Sequence, residues 1–228
     1  MPVGMQVLND DNVFQIDGVT PVLSLTQKGY APLVQGNYAR ISEGTFSFTG
    51  TNPIPAIKVN GSYSLAGIGN FTKNGNTYTA TVLLLRDSTL AFTGSVEYYI
   101  FDNPSFSNNN AGLQVFSETG TCIFDSNVPI MQVVRPISAD QLPPGKQYAF
   151  WSMAGYDRTL DVEVDTRGDY FYREEIRFAG LRVLGSSYIH DNFPVYASSG
   201  TGTSGGNTGW IGPSYTFFPT YFVDVTNL

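Results

Sequence analysis

Three carboxylates, Asp161, Glu163 and Asp165, alternate with apolar residues along one stretch of this chain. Such residues can gather oxygen-seeking cations such as Ca²⁺, or act as an acid–base pair across a glycosidic bond. In an extended strand, however, residues two apart lie nearly 7 Å from each other, so one strand does not bring all three to one ion. With Arg158, Arg173 and Arg177 close in sequence, the row reads as a solvated face balanced by cations. Pairs such as Asp161 or Glu163 with Glu174 or Glu175 are where depolymerising chemistry would sit. His190 is the only histidine, and the adjacent Asp191 points the other way in an extended chain, which leaves no orienting acid for a Ser-His-Asp triad. The sequence contains no phosphate-binding loop with the Gly-Lys-Ser/Thr ending and no metal-spaced His/Cys cluster. Cys122 is the only cysteine, which excludes an intramolecular disulfide framework and a Cys-rich zinc site, and it reads as a small buried hydrophobe. Arg167-Gly168-Asp169 spells an integrin-binding tripeptide, but a hairpin turn already accounts for Gly168. The chemical reading is therefore a protein that is not an enzyme and carries no cofactor or metal.

What remains is a set of contact residues. Tyr188, His190, Phe193, Tyr196, Trp210 and Tyr215 bracket residues 198–209, a stretch of only Gly, Ser, Thr and Asn. Aromatic rings beside small polar residues suit sugar or protein contacts. A Gly/Ser/Thr/Asn segment buries no apolar surface to offset its ordering entropy, so a long loop is expected within 185–212.

Stepping from these residues to what must position them, the chain has 228 residues, 42% hydrophobic and 14% aromatic, with net charge −7. The length allows one large or two small domains with a real core. Sixteen Phe and fourteen Tyr against few charged residues favour strands over amphipathic helices. Net negative charge gives no electrostatic support for nucleic acid. The opening residues, MPVGMQVLNDD, have neither a basic nor an apolar signal region, and no window approaches eighteen uninterrupted apolar residues. The expectation is a chain without a secretory signal or membrane insertion.

An internal repeat organises the sequence. Residues 4–25, GMQVLNDDNVFQIDGVTPVLSL, align without a gap on 112–133, GLQVFSETGTCIFDSNVPIMQV. Gly4/Gly112, Gln6/Gln114, Val7/Val115, Asp17/Asp125 and Pro21/Pro129 are identical at an offset of 108. Each copy reads as a β-hairpin with a polar turn, and each Asp as a turn residue bonding its own backbone. The halves end alike, in SVEYYIFDNP and PTYFVDVTNL. Many short strands separated by Asn-Gly and Arg-Gly turns complete the pattern. In the clearest hairpin, over 160–178, Val164 should face Tyr170, Val162 face Tyr172 and Asp161 face Arg173. The fold class expected is all-β, with two tandem related β-sandwich or small-barrel domains over 1–106 and 107–228, the second holding the inserted loop.

The segment Gly112-Leu-Gln-Val-Phe through Phe124-Asp125-Ser126 resembles a pattern found in small tail-associated structural proteins of tailed bacteriophages and prophages, and residues 4–17 look like a second instance. Gln114, Val115, Phe116, Phe124, Asp125 and Ser126 fit, while the first copy departs at Leu8, Ile16 and Gly18. The resemblance covers two segments of about twenty residues. It implies a virion protein of the tail tip, baseplate or fibre attachment, made in the host cytoplasm. Its partners would be other tail proteins, with the chain a homo-oligomer within a symmetric assembly. The alternative is a receptor-binding module that recognises a bacterial surface glycan or protein through the 188–215 region.

Overall fold

The hydroxyl–apolar alternation of TFSFT at 45–49 and TYTAT at 77–81 can bury only one side of an extended chain. Phe46, Phe48, Tyr78 and Ala80 are buried, while Thr45, Ser47, Thr49 and Thr77 are exposed. On the outer face the Thr45 and Thr81 hydroxyls lie 3.2 Å apart, and those of Ser47 and Thr79 3.0 Å. A computed structural model of the chain describes residues 7–8, 14–16, 21–36, 38, 40–60, 63–86, 94–104, 107, 112–164, 170–202 and 220–228; for 7–8, 14–16, 156–164, 170–176 and 192–202 it describes only the backbone. Among these residues all regular structure is β.

The strands of the first half are β1 (Val7–Leu8), β2 (Phe14–Ile16), β3 (Ser24–Pro32), β4 (Val34–Gln35), β5 (Ile41–Thr49), β6 (Ile54–Val59), β7 (Leu65–Asn74), β8 (Thr77–Leu85) and β9 (Ser95–Asp102). Those of the second half are β10 (Gln114–Phe116), β11 (Cys122–Asp125), β12 (Val133–Val134), β13 (Tyr148–Trp151), β14 (Gly155–Val164), β15 (Tyr170–Leu184), β16 (Ser187–Gly202) and β17 (Tyr221–Asp224). A six-stranded sheet has the order β12-β17-β13-β6-β9-β3. A seven-stranded sheet has the order β14-β15-β7-β8-β5-β4, with β16 also on β15.

The six-stranded sheet closes on itself. The Leu25 N–H donates to the Pro129 carbonyl at 2.7 Å and the Met131 N–H to the Leu23 carbonyl at 2.7 Å, while the Asp224 N–H reaches the Gln132 carbonyl at 3.0 Å. The stretch entering β12 is thus flanked by the start of β3 on one side and β17 on the other, which joins the two ends of the sheet. Inside this barrel lie Ala56, Tyr99, Phe101, Ala149, Val223 and Val225, with Leu23, Leu25 and Met131 against them. Its outer face, including Ile57, Ile100, Phe150 and Phe222, packs on Phe46, Phe48, Ala66, Ile68 and Leu84 of the other sheet. The result is a β-sandwich with one sheet curled shut.

The order of the six strands is a palindrome of the two halves. Outwards from the central antiparallel rung between Ile57 and Phe150 run β6, β9, β3 on one side and β13, β17, β12 on the other. Ala56 and Ala149, each fully buried, occupy equivalent places beside that rung, as do their strand partners Tyr99 and Val223. The repeated hairpins agree to the residue. Val7 pairs with Ile16 and Leu8 with Phe14; Val115 pairs with Phe124 and Phe116 with Cys122; each pair of rungs is interrupted by a shift at the same place.

Both sheets draw strands from both halves, so the division at 106/107 coincides with no break in either sheet. Phe178 and Ala154 share a buried cluster with Ile41 and Leu65. At this junction residues 152–154 run alongside β7, with the Ile68 N–H donating to the Ser152 carbonyl at 2.8 Å and the Ala154 N–H to the Ile68 carbonyl at 2.9 Å. Gly67 makes the approach possible, since a Cβ there would lie 2.9 Å from the Ser152 carbonyl oxygen.

The 160–178 hairpin has the expected register, with Val164 opposite Tyr170, Val162 opposite Tyr172 and Asp161 opposite Arg173. The long loop expected within 185–212 is corrected over much of its length, because Ser187–Gly202 is a sixteen-residue strand. Its small polar end pairs rung by rung with β15, Ser198 opposite Glu174 through Gly202 opposite Tyr170. Ladder hydrogen bonds hold this backbone, a contribution that side-chain composition does not report. Residues 203–212 lie outside the described residues.

Candidate functional site

The predicted contact set divides. Trp210 and Tyr215 lie outside the described residues. Phe193 and Tyr196 are placed on β16 opposite Phe178 and Ile176, with only their backbones described. Tyr188 and His190 come together where β16 crosses β17. The Tyr188 ring is 4.6 Å from that of Phe222 and edge-on to His190 at 6.2 Å. His190 Nε2 lies 3.4 Å from the Thr220 hydroxyl, which donates to Ser152 Oγ at 3.2 Å. Burial lowers the His190 pKa and so favours the neutral imidazole. Tyr221, half exposed, follows directly and lies against Trp151 with ring centroids 5.9 Å apart. Trp151 and Tyr221 form an aromatic pair that the sequence reading did not select. The signal was present, because β13 and β17 each put an aromatic at the barrel end of an alternating strand.

The opposite mouth of the barrel is charged. Glu97 points inward from β9 with its side chain 6% exposed. Lys28 Nζ lies 2.9 Å and Lys58 Nζ 3.4 Å from its carboxylate, and the Tyr30 hydroxyl donates to it at 3.3 Å. Burial pushes the Glu97 pKa up, but hydrogen bonds from Lys28 and Tyr99 and the charges of Lys58 and Lys28 outweigh it and hold the group at about 2. Burial, then the adjacent Glu97, raises the Tyr99 phenol. Glu97 is therefore a fixed anion, not a proton donor near neutrality. Lys58 also donates to Gln147 Oε1 at 2.7 Å, joining β6 to the segment before β13. Next to it the Lys146 ammonium lies 2.6 Å from Asp224. Sequence reading missed this cluster because Lys28, Lys58 and Glu97 are far apart in the chain. A lone Glu within the apolar run SVEYYIFD was the available sign, since a carboxylate on a core strand needs a cation.

Beside these lysines the barrel end and the β15–β16 turn enclose a cleft of about 230 Å³, lined by Lys58, Tyr63, Lys146, Gln147, Val183 and Gly185 among others. The Tyr63 hydroxyl is bonded twice to Val183, accepting from its N–H at 2.9 Å and donating to its carbonyl at 3.3 Å. Burial raises its pKa to about 12.

The repeated motif residues have a structural account in the second hairpin. Asp125, with no solvent exposure, accepts from the Ser107 hydroxyl at 2.6 Å and N–H at 3.0 Å, from Gln114 Nε2 at 2.8 Å and from the Asn127 N–H at 2.8 Å. These bonds, led by the Ser107 hydroxyl, hold its carboxyl well below the usual carboxylate range. Gly112 has φ of 119° and packs against Ser126 and Asn127, where a Cβ would clash. Gln114 and Asp125 are thus tied, with Ser107, into one interlocked hairpin end. Cys122 is buried and its thiol pKa is raised by burial, as suits a small hydrophobe.

Among the described residues no group of three or more His, Cys, Asp or Glu could hold a metal ion. No helix among them is long and apolar enough to cross a membrane. Compared with known proteins, the chain matches no family model, no curated protein and no solved structure.

Proposed function

We propose that this chain is a non-enzymatic structural component of a bacteriophage tail, at the tip, baseplate or fibre attachment, working in the virion through contacts with other tail proteins and with further copies of itself. The observation that carries this reading is the three-stranded ribbon of β14, β15 and β16. Its root enters the core at Phe178, Leu181 and Tyr188. From Phe178 to Tyr170 the ribbon runs about 26 Å at strand rise. Over Tyr170–Ile176 β15 is paired on both sides, whereas β14 and β16 pair there only with β15 among the described residues. Each outer strand thus offers backbone donors and acceptors to a strand from a partner. The repeated hairpin that resembles tail-associated proteins supports the same reading.

The test is light scattering and native mass spectrometry of the full chain, alone and co-expressed with the other tail proteins of the phage that encodes it. Assembly into a defined oligomer or a complex with a tail partner is expected. A strictly monomeric chain that binds no tail component overturns the proposal. The alternative of receptor binding is favoured by the half-exposed Tyr221 beside Trp151, next to the Tyr188–His190 corner. Labelled protein should then adsorb saturably to some bacterial strains, and deletion of residues 203–209, which spares β16, should abolish it. Undiminished adsorption by that deletion, or none by the intact chain, removes the alternative.

A further inference from the structure

We propose that the cleft between the charged barrel mouth and the β15–β16 turn binds a small carboxylate monoanion, with Lys58 and Lys146 as its cationic donors and Val59 and Val183 as apolar walls. The site lies at the root of the ribbon, away from its Tyr170 end and from the Trp151–Tyr221 pair.

Three features lead to this assignment. The first is valence. An ammonium has three N–H donors. Lys58 spends two, on Glu97 and Gln147, and Lys146 spends one, on Asp224. The side-chain oxygens of the lining are already engaged: Gln147 Oε1 accepts from Lys58, and the Tyr63 hydroxyl both accepts from and donates to Val183. The Tyr148 hydroxyl donates to the Pro143 carbonyl. A cleft that offers unspent donors and engaged side-chain acceptors selects a ligand rich in acceptors. The second feature is charge. Lys28, Lys58 and Lys146 face Glu97 and Asp224, and the charge of Arg182 also reaches Tyr63 in the lining, so cations outnumber carboxylates at this mouth of a chain whose net charge is −7. Of the chain's four lysines, only Lys73 lies elsewhere. An excess of cations suits an anionic ligand, and a partly desolvated site strengthens the pairing. The third is size. About 230 Å³ is below the ~300–1,000 Å³ of sites for drug-sized ligands, which fits one small molecule or one residue of a polymer. The carboxylate would therefore come either from a free molecule or from a uronic-acid residue within a chain.

The test is amide NMR of the intact chain titrated with D-glucuronate, an oligoglucuronate and neutral D-glucose. With glucuronate, the Gln147, Val183 and Gly185 amides should shift saturably, and added salt should weaken the binding. Lys146→Ala, at a side chain 42% exposed, should fold normally and bind roughly tenfold more weakly through loss of one charge-assisted hydrogen bond. Gln147→Glu sets a carboxylate beside Lys58 and should abolish binding while keeping the native spectrum. Shifts with both uronates support a site for the free carboxylate, and shifts with the oligomer alone support a polymer-borne one. Absence of saturable shifts with either uronate, equal shifts with glucose, or unchanged affinity in both variants overturns the proposal.

Discussion

The two mouths of the barrel are built on equivalent strand positions and finished in opposite ways. At one, Glu97 is buried between two lysines; at the other, its counterpart Tyr221 is half exposed and lies on Trp151. Lys58 and Trp151 correspond in turn, each one residue beyond the central Ile57–Phe150 rung. The apolar interior between them is shared, with alanine on both central strands. The duplicated frame thus fixes where side chains point, and the identity of a few end residues decides whether a mouth is cross-braced or left as an aromatic surface.

The largest expected effect tests the brace. Glu97→Gln leaves Lys28 and Lys58 facing a neutral amide and should cost about 2–3 kcal/mol in urea unfolding at pH 7. Because the Glu97 pKa of about 2 lies below its ordinary value of 4.5, its stabilising effect is complete above pH 4.5 and is lost as pH falls through 2. In the wild type the unfolding midpoint should drop over that window, and in Glu97→Gln the drop should be smaller. Overfilling the shared interior comes next: Ala56→Leu and Ala149→Leu should each cost about 2 kcal/mol, and near-equal losses would sharpen the equivalence of the halves. A loss at only one of them would break it.

Smaller effects compare the strand-end aspartates. Asp102 accepts from the Thr51 and Asn52 N–H groups at 2.6 and 3.0 Å, whereas Asp224 binds Thr226 and Lys146 at a more open edge. Asp102→Ala should cost about 1–2 kcal/mol in denaturant titration and Asp224→Ala under about 1. Smallest of all, Tyr221→Ser should change stability by about 0.5 kcal/mol or less. If calorimetry gave it a loss as large as that of Glu97→Gln, the aromatic mouth would be a brace as well.

Local patterns carried the sequence reading and long-range pairing escaped it. The 160–178 register was legible because alternating apolar residues around one short turn admit a single pairing. The twin hairpins were legible because an ungapped offset repeats their rungs. The sharing of both sheets between the halves was not, since composition cannot reveal that β6 finds β13 or that 23–25 finds 129–131. Residues 198–202 read as loop because their side chains supply nothing to a core, yet their backbone completes a ladder with β15. Of the candidate site, Tyr188 and His190 could be chosen from local aromatic density. The Glu97 cluster could be recognised only by asking what a lone carboxylate on an apolar strand does with its charge.

The hydrogen bonds that close the barrel have a consequence for biosynthesis. While the chain emerges from the ribosome, β3 has no neighbour on its outer edge until Met131 has been made, and β6 lacks its inner neighbour until Phe150 follows. The first half therefore waits with two unpaired edges and cannot complete its fold alone. Loops of about a hundred residues must close before those edges are rewarded, which places the chain among slow, non-local folders. Nascent chains stalled near residue 106 should be the aggregation-prone species in an expressing cell.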